Sequence, residues 1–376
     1  MFSGKFKDIK FGDVVYPELE AKDGEVPEGI GLGFFGPSDI DDADRTDPRP
    51  PVDPKKLSIS FNGTIAGIGM NVGYGYAGQQ LIEAWQAERI PVWWSKHDCP
   101  IAISLGQPWG YNWQKSSQYK IGYSAWESTE MPFGWLRVME EMDEIWAPSA
   151  ANIEWFKASG LEKPTRVLQH GINREHWPVQ KRKPSMPFTF LHVGCDSKRK
   201  GGDIAYTAFK EAFGDDPYVK LILKGRPDFK TYGSNVQVIT SELSQESLTN
   251  LYLASHAFLG CSRGEGFGLP AFQAAATGMP TLATNWGGQL EYKDFVWPIG
   301  YELVDCQFEP HIGHGKWAEP KVEDLVLWMQ YFSDSPTYFF THAYNKAKRM
   351  DREFSWKAIA KKSIGWLQEI FASRCA

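Results

Sequence analysis

The sequence predicts an α/β protein made of two doubly wound, Rossmann-like domains that face each other across a cleft. Short apolar segments of strand length alternate with helical segments from residue 55 to residue 170, and the alternation begins again at residue 188. The length of 376 residues supports the same conclusion, because it exceeds what one ordinary hydrophobic core accommodates. No internal repeat or low-complexity array interrupts this pattern.

The composition excludes several classes of function. The chain is 42% hydrophobic and 23% charged, as globular proteins usually are, and its net charge of −6 provides no general attraction to nucleic acid or to anionic membranes. No apolar segment has the length of a membrane span or of a signal-peptide core. The five cysteines contain no CxxC pair and are expected to be reduced thiols. We therefore expect a cytoplasmic protein without a cysteine-based metal site.

The alternation also predicts where each domain begins and ends. The first 54 residues become rich in glycine, proline and aspartate after Pro27 and are expected to form loops, including an Asp-x-Asp pair at Asp39 and Asp41 that is expected to be solvated. The predicted divisions are an extension (1–54), a first Rossmann-like domain (55–175), a linker (176–186), a second Rossmann-like domain (187–354) and a C-terminal helix (355–376).

The segment Cys261–Glu291 predicts an anion site. An apolar strand at 256–261 is followed by the glycine-rich turn Gly264–Gly268 and then by a proline-started helix of small residues. This order directs unpaired backbone N–H groups and the positive end of a helix dipole at one point, which suits a phosphate. The polar side chains that can flank the point are Glu265 and Gln273.

The same segment resembles a known sugar-binding motif. Residues 262–284 are similar to the donor-sugar motif of the family 4 retaining glycosyltransferases, which are group 1 nucleotide-sugar transferases of the two-domain GT-B fold. The resemblance extends over about residues 55–371. That motif carries two glutamates separated by seven residues; Glu265 matches the first, whereas Gln273 replaces the second. The resemblance implies that Glu265 acts on the sugar and Gln273 on the ribose. It also implies donor contacts from the turn and helix start, at Gly266, Phe267, Gly268 and Leu269.

A basic turn at 194–203 is the second part of the resemblance. Lys200 matches a family lysine that neutralises the leaving diphosphate, and such a charge suits this task physically. The family arginine is replaced by Cys195, so Arg199 or Arg263 is expected to provide the missing charge.

Gly73, Gly75 and Gly78 match the spacing GxGxxG of dinucleotide-binding enzymes. That fingerprint needs a tight turn directly after a strand and an acidic residue at the end of the second strand. Here more than ten residues separate the strand from the glycines, and the second strand ends in Val92–Ser95 without an acid. We therefore reject a dehydrogenase. The resemblance places these glycines in a loop that approaches the donor diphosphate, with Gly75 as the contact.

The first domain contains one further candidate in the polar loop after the strand at 119–124. The loop resembles a variant segment that faces the transferred sugar, and Glu127 is either a carboxylate of the cleft or a helix-capping acid. His170 is expected to be structural. His311 and His314 lack other plausible metal ligands nearby.

Together these features predict a retaining hexosyltransferase with Glu265, Lys200 and Glu127 as catalytic residues. Its donor would be a UDP- or GDP-linked sugar such as UDP-glucose, and its acceptor a hydroxyl of a glycan or small molecule. No cofactor and no metal are expected, because lysine and helix dipoles stabilise the leaving group. Three alternatives remain open: transfer to a hydroxymethylated DNA base, a nucleotide-sugar epimerase, and a non-catalytic sugar-nucleotide binding protein.

Overall fold

The computed structural model describes residues 10–11, 14–15, 56–63, 73–94, 99–111, 118–194, 197–227, 229, 233–308, 310–311 and 313–375. The chain divides into two compact units, Met1–Thr46 and Asp47–Ala376. In the first unit the strands β1 (Lys10–Phe11) and β2 (Val14–Val15) pair antiparallel. The rest of the predicted extension, with its Asp-x-Asp pair, lies outside the described residues up to residue 55.

The second unit contains a first sheet of six parallel strands in the order β4-β3-β5-β6-β7-β8. Its strands are β3 (Ile59–Gly63), β4 (Val92–Trp94), β5 (Ile101–Leu105), β6 (Tyr119–Tyr123), β7 (Glu144–Ala147) and β8 (Thr165–Val167). The helices are α1 (Gly73–Ala87), α2 (Trp135–Met139) and α3 (Ala150–Ala158), with a short 3₁₀ turn at Pro108–Gly110. Strands β5 and β7 are buried along their whole length, as is typical of parallel sheets covered on both faces.

A second sheet of six parallel strands follows in the order β11-β10-β9-β12-β13-β14. Its strands are β9 (Phe188–Val193), β10 (Val219–Lys224), β11 (Val236–Ile239), β12 (Ala257–Gly260), β13 (Thr281–Thr284) and β14 (Trp297–Ile299). Its helical segments are the 3₁₀ turn Lys198–Lys200, α4 (Gly202–Phe213), α5 (Gln245–Ala254), α6 (Leu269–Ala276), the 3₁₀ segment Gly287–Phe295, α7 (Val322–Asp334), α8 (Pro336–Phe354) and α9 (Trp356–Cys375). An antiparallel hairpin, β15 (Tyr301–Asp305) with β16 (Lys316–Pro320), projects beside it. The predicted fold class, two doubly wound α/β sheets, is confirmed.

The order of the second sheet determines where a ligand site forms. Strand β9 lies between β10 and β12. The chain first adds β10 and β11 on one side of β9 and then adds β12, β13 and β14 on the other side. Loops that leave the carboxyl ends of β9 and β12 therefore diverge and leave a crevice between them. The basic turn follows β9 and the glycine-rich turn follows β12, which brings both predicted motifs to this crevice.

The last helix, α9, packs against the first sheet. The indole Nε1 of Trp85 on α1 donates a hydrogen bond of 2.8 Å to Ser363 Oγ on α9. Ile359 and Leu367 of α9 are buried in the same apolar cluster as Ile59 and Trp85. The predicted domain boundaries themselves stay predictions. Within the described residues no helix is long and apolar enough to cross a membrane, and the cytoplasmic location also stays a prediction.

Candidate active site

The glycine-rich turn is held in a conformation that only its glycines allow. Gly268 has φ = 89°, in the left-handed region, and a Cβ added there would lie 2.5 Å from the hydroxyl oxygen of Tyr292. Helix α6 starts directly after it, with Pro270 in its first turn. The turn and the helix start therefore take the predicted strand-turn-helix arrangement at the end of β12.

Glu265 in this turn lies at the centre of a cluster of charged side chains. Its carboxylate is 7% exposed and accepts hydrogen bonds from Lys200 Nζ at 2.7 and 2.9 Å. Arg199 Nη1 lies 3.3 Å from Oε2, and Ser262 Oγ donates to Oε1 at 2.8 Å. The predicted residues Glu265, Lys200 and Arg199 thus meet in one place.

Backbone contacts fix the basic turn against the glycine-rich turn. The side chain of Ser197 accepts a hydrogen bond from the amide of Arg199 and caps the 3₁₀ turn Lys198–Lys200. The amide of Arg263 then donates to the Arg199 carbonyl at 2.7 Å. Since the two turns are tied to each other, the lysine and the glutamate are positioned without any ligand.

The ion pairs determine the charge of Glu265. Burial alone would raise the pKa of this carboxyl, but Lys200 and Arg199 outweigh burial and hold its pKa below the ordinary value. Glu265 is therefore ionised at neutral pH, and it can accept hydrogen bonds from sugar hydroxyls.

Glu127 reaches the same cluster from the first sheet. Its Oε1 lies 3.5 Å from Arg199 Nη2, and its Oε2 lies 2.9 Å from His311 Nε2. The ring of His311 stacks on Trp126, with 4.3 Å between the ring centroids. Burial would raise the pKa of Glu127, but Arg199 and His311 outweigh it and lower this pKa to about 2. Glu127 therefore belongs to the cluster of charged side chains around Glu265, and its role toward a sugar stays a prediction.

Arg263 does not join this cluster, and its role toward a donor phosphate stays a prediction. Its guanidinium is 6% exposed and pairs with Glu319, at 2.6 Å from Nε to Oε2, and with Asp203, at 3.1 Å from Nη1 to Oδ1. These two carboxylates are not members of the cluster around Glu265, whereas both carboxylates that Arg199 contacts, Glu265 and Glu127, belong to it. Cys195, which stands in place of the family arginine, lies outside the described residues.

Gly75 lies inside a helix, and the prediction of a loop at this position is wrong. Helix α1 begins at Gly73, so Gly75 is a buried residue of its first turn. A Cβ added at Gly73 would lie 3.7 Å from Leu269 Cδ1, which shows that the start of α1 faces the start of α6. The unpaired backbone N–H groups in the first turn of α1 therefore lie near the start of α6. A contact between Gly75 and a donor diphosphate stays a prediction.

The remaining predicted donor-binding residues lie in the glycine-rich turn and in the first turns of α6. Gly266 packs against the first sheet, since a Cβ added there would lie 2.5 Å from Ala125 Cβ. Phe267 is 3% exposed and contacts the ring of His170 with 4.9 Å between centroids. Gln273 is 9% exposed and lies one turn into the helix. Their roles toward a donor stay predictions.

His170 is expected to have a structural role, and it is buried among apolar and aromatic side chains. Burial lowers the pKa of His170 to about 3, so the ring is neutral, and it lies beside the Tyr123 hydroxyl. Across the described residues, no group of three or more His, Cys, Asp or Glu side chains is arranged to hold a metal ion. A metal-independent reaction stays a prediction.

Two residues of the site were missed by sequence reasoning. His311 was considered only as a metal ligand, yet it pairs with Glu127 across 184 positions of sequence. Ser262 was not singled out, although the spacing of three residues to Glu265 was available as a signal. Nothing in the sequence pattern indicates the contact of His311.

A family model matches the part of the chain that carries most of these residues. Residues 173–294 match the model described as "Glycosyl transferases group 1". The resemblance to the group 1 transferases is confirmed over these residues. The matched range begins after β8 and includes the basic turn, the glycine-rich turn and α6.

Curated relatives cover only parts of the chain. Glycogen synthase of Mycobacterium tuberculosis is 24% identical over 232 residues, which are 59% of this chain and 49% of that protein. The serotype-specific mannosyltransferase WbdA of Escherichia coli is 30% identical over 110 residues, 25% of this chain and 13% of that protein. The chain thus spans about half the length of the glycogen synthase and a smaller share of WbdA.

Solved structures share the fold over most of the chain. HepE of Anabaena, solved in complex with UDP, superposes with a TM-score of 0.60 at 14% identity and covers 83% of this chain and 100% of its own. The same protein in complex with UDP-glucose gives a TM-score of 0.55 at 14% identity over 85% of this chain and 100% of its own. At this level of identity the likeness establishes the two-domain GT-B fold.

Proposed function

We propose that this chain transfers a hexose from a UDP-linked sugar to a hydroxyl acceptor and retains the configuration of the anomeric carbon. The observation that carries the proposal is the pairing of Glu265 with Lys200 and Arg199 at the crevice between β9 and β12. All three side chains lie within the residues that match the group 1 family model, and Glu265 lies in the turn directly before α6. The UDP and UDP-glucose complexes of HepE, a protein of the same fold, support the choice of nucleotide.

The cations are suited to the leaving group. Breaking the anomeric C–O bond transfers negative charge to the diphosphate, and donors that already point at that charge lower the barrier without reorganisation. Lys200 and Arg199 would provide two positive charges, and the N-terminus of α6 would add its amides. Two cations and a helix dipole perform the task that a divalent ion performs elsewhere, so we propose a reaction that needs no metal.

Glu265 would act on the sugar side of the same bond. As an ionised acceptor, it can hold hydroxyl groups of the hexose and favour the positive charge that develops on the ring in the transition state. Gln273 would bind the ribose, where its amide oxygen can accept one hydrogen bond but lacks the strength of a charged acceptor. This difference predicts a weaker hold on the nucleoside than a glutamate would give.

Glu127 gives the site a gating contact. Arg199 is shared between Glu265 and Glu127, so a diphosphate that approaches Arg199 competes with Glu127 for the guanidinium. The bound donor would replace the Glu127 contact, and Glu127 would then be free to face the sugar or the acceptor. Without a donor, the ion pair between Arg199 and Glu127 thus links the second sheet to the first sheet.

Product analysis tests the proposal. A thermal-shift panel of UDP- and GDP-linked hexoses first identifies the donor, because a ligand that binds the native state raises its melting temperature. The donor is then incubated with glycan acceptors, and free nucleotide, glycosylated acceptor and anomeric configuration are measured. We expect nucleotide release with a retained α- or β-linkage. Glu265→Gln and Lys200→Ala should lower turnover on the order of 10²–10³-fold.

The matched control is Lys198→Ala, since Lys198 belongs to the same turn but pairs with Asp203, at 3.7 Å from Nζ to Oδ2. It should leave turnover near the wild-type value. A donor that binds without nucleotide release would identify a binding protein, and a changed sugar without acceptor would identify an epimerase. Transfer to hydroxymethylated DNA with a steep loss of affinity in salt would identify the DNA-modifying alternative.

A further inference from the structure

A small cavity lies behind Glu265, at the carboxyl ends of β9 and β12. It has room for about one water molecule. The residues that line it and matter here are His192, Leu259, Ser262, Glu265, Ala271 and Gln289. Neither His192 nor Gln289 belongs to the cluster that holds the proposed diphosphate.

His192, which lines this cavity, carries a buried hydrogen-bond acceptor. Its Nδ1 lies 2.8 Å from the carbonyl oxygen of Leu259, and because a carbonyl can only accept, Nδ1 carries the proton. Burial lowers the pKa of His192, so the ring is neutral and Nε2 has a free lone pair. The residue is 1% exposed, and among the residues that the structure describes no group donates to Nε2.

Gln289 provides a second buried acceptor on the same cavity. It is 3% exposed, and its Oε1 receives no hydrogen bond from any group in the described part of the chain. Its Cγ is held close to the glycine-rich turn, 3.1 Å from the position of a Cβ added at Gly268. Buried acceptors without a donor are costly, so native proteins nearly always satisfy them.

The hydrogen-bonding groups that line the cavity determine which kind of molecule can bind in it. His192 Nε2 and Gln289 Oε1 are the two lining acceptors that still need a donor, so they favour a group that donates hydrogens. A water molecule has two hydrogens for the two neutral acceptors and matches the size of the cavity. Once both hydrogens are donated, the water oxygen can only accept a hydrogen bond.

We propose that the cavity holds one fixed water, bound by His192 Nε2 and Gln289 Oε1, whose oxygen accepts a hydrogen bond from one hydroxyl of the transferred sugar beside Glu265. His192 and Gln289 are then specificity-determining residues that act through this water. The claim about the sugar rests on the proposed function, whereas the claim about the water does not.

A crystal structure of the full chain, at a resolution that shows ordered waters, tests the first claim. We expect one water within hydrogen-bond distance of both His192 Nε2 and Gln289 Oε1. It should be absent in Gln289→Met, which keeps the length of the side chain but removes the acceptor. A cavity without this water in the wild type overturns the proposal, whether or not the chain is a transferase.

Deoxy-sugar donors test the second claim. The kcat/KM of the wild type is compared for the parent UDP-sugar and for analogues that each lack one hydroxyl, and the series is repeated with Gln289→Met and His192→Phe. At one ring position the wild type should lose about tenfold on removal of the hydroxyl, and the variants should lose little. Equal losses in wild type and both variants at every position overturn the specificity claim. If no donor supports transfer, the proposed function fails and only the crystallographic result bears on the cavity.

Discussion

The guanidinium of Arg199 and the carboxylate of Glu127 form an ion pair between the second and first sheets, with 3.5 Å between Nη2 and Oε1. The same guanidinium contacts Glu265, so one arginine connects carboxylates from both halves of the molecule. Planar guanidinium groups suit such a double contact because their N–H donors point in different directions. The distance between the two sheets at this point therefore depends on the charges of Glu127 and Glu265.

The pH dependence of stability should report on Glu127. Its folded-state pKa of about 2 lies below the ordinary value of 4.5, so the ionised form stabilises the fold above pH 4.5, and this contribution is lost as the pH falls toward 2. Glu127→Gln should lower the free energy of unfolding at pH 7 by on the order of 3 kcal/mol. Urea unfolding of both proteins between pH 7 and pH 2 measures the difference, which should shrink below pH 4.5. A difference that stays constant over this range would contradict the assignment.

Arg199→Lys should impair catalysis although it conserves the charge. A lysine has one compact ammonium group and cannot contact Glu265 and the diphosphate of a bound donor from two separate nitrogens. We expect kcat/KM to fall on the order of 10²-fold, with a melting temperature only a few degrees lower. Steady-state kinetics with the identified donor measure the loss, and Lys198→Arg in the same turn is the matched control. Wild-type kinetics in Arg199→Lys would mean that the double contact has no catalytic role.

Arg263→Met tests the distinction between the two arginines. Removing Arg263 takes the guanidinium partner from Glu319 and leaves Asp203 with Lys198, which should lower the free energy of unfolding by on the order of 2–4 kcal/mol. At a temperature where the variant is folded, its affinity for UDP should match that of the wild type. Chemical denaturation and calorimetric titration measure the two quantities. A large loss of UDP affinity with unchanged stability would restore Arg263 as a phosphate ligand.

Gln273→Glu should strengthen nucleotide binding at the expense of the unliganded protein. Gln273 is 9% exposed, so a carboxylate there is buried, and burial without a partner destabilises the fold. When the ribose is bound, however, the carboxylate accepts charge-assisted hydrogen bonds that an amide cannot. We expect a lower melting temperature without ligand and a larger rise on addition of the donor than in the wild type. An equal or smaller rise would argue against ribose binding at this position.

Most residues of the candidate site can be predicted from the sequence, because they lie in short continuous segments. Glu265, the glycines before α6 and Lys200 lie in two short segments that directly follow β9 and β12, and parallel strands bring such segments to one edge. The different surroundings of Arg199 and Arg263 are not evident from the sequence, because they depend on contacts of Arg263 with Asp203 and Glu319 in the folded chain.

Contacts between distant segments were not accessible. The pairing of His311 with Glu127 depends on how the β15–β16 hairpin meets the loop after β6, and no periodicity encodes that approach. The start of α1 at Gly73 was also missed, because glycines are poor helix formers and propensity favoured a loop up to Tyr76. Packing at the end of the first sheet overrides this local preference.

The central claim is that the diphosphate of a sugar nucleotide is received by Lys200 and Arg199 at the start of α6. Calorimetric titration of UDP into the wild type, Lys200→Ala and the control Lys198→Ala tests it most directly. The account predicts that Lys200→Ala weakens UDP binding by about 10- to 100-fold, since a charged hydrogen bond to the phosphate is lost, while Lys198→Ala binds as the wild type does. Equal dissociation constants in all three proteins would contradict it.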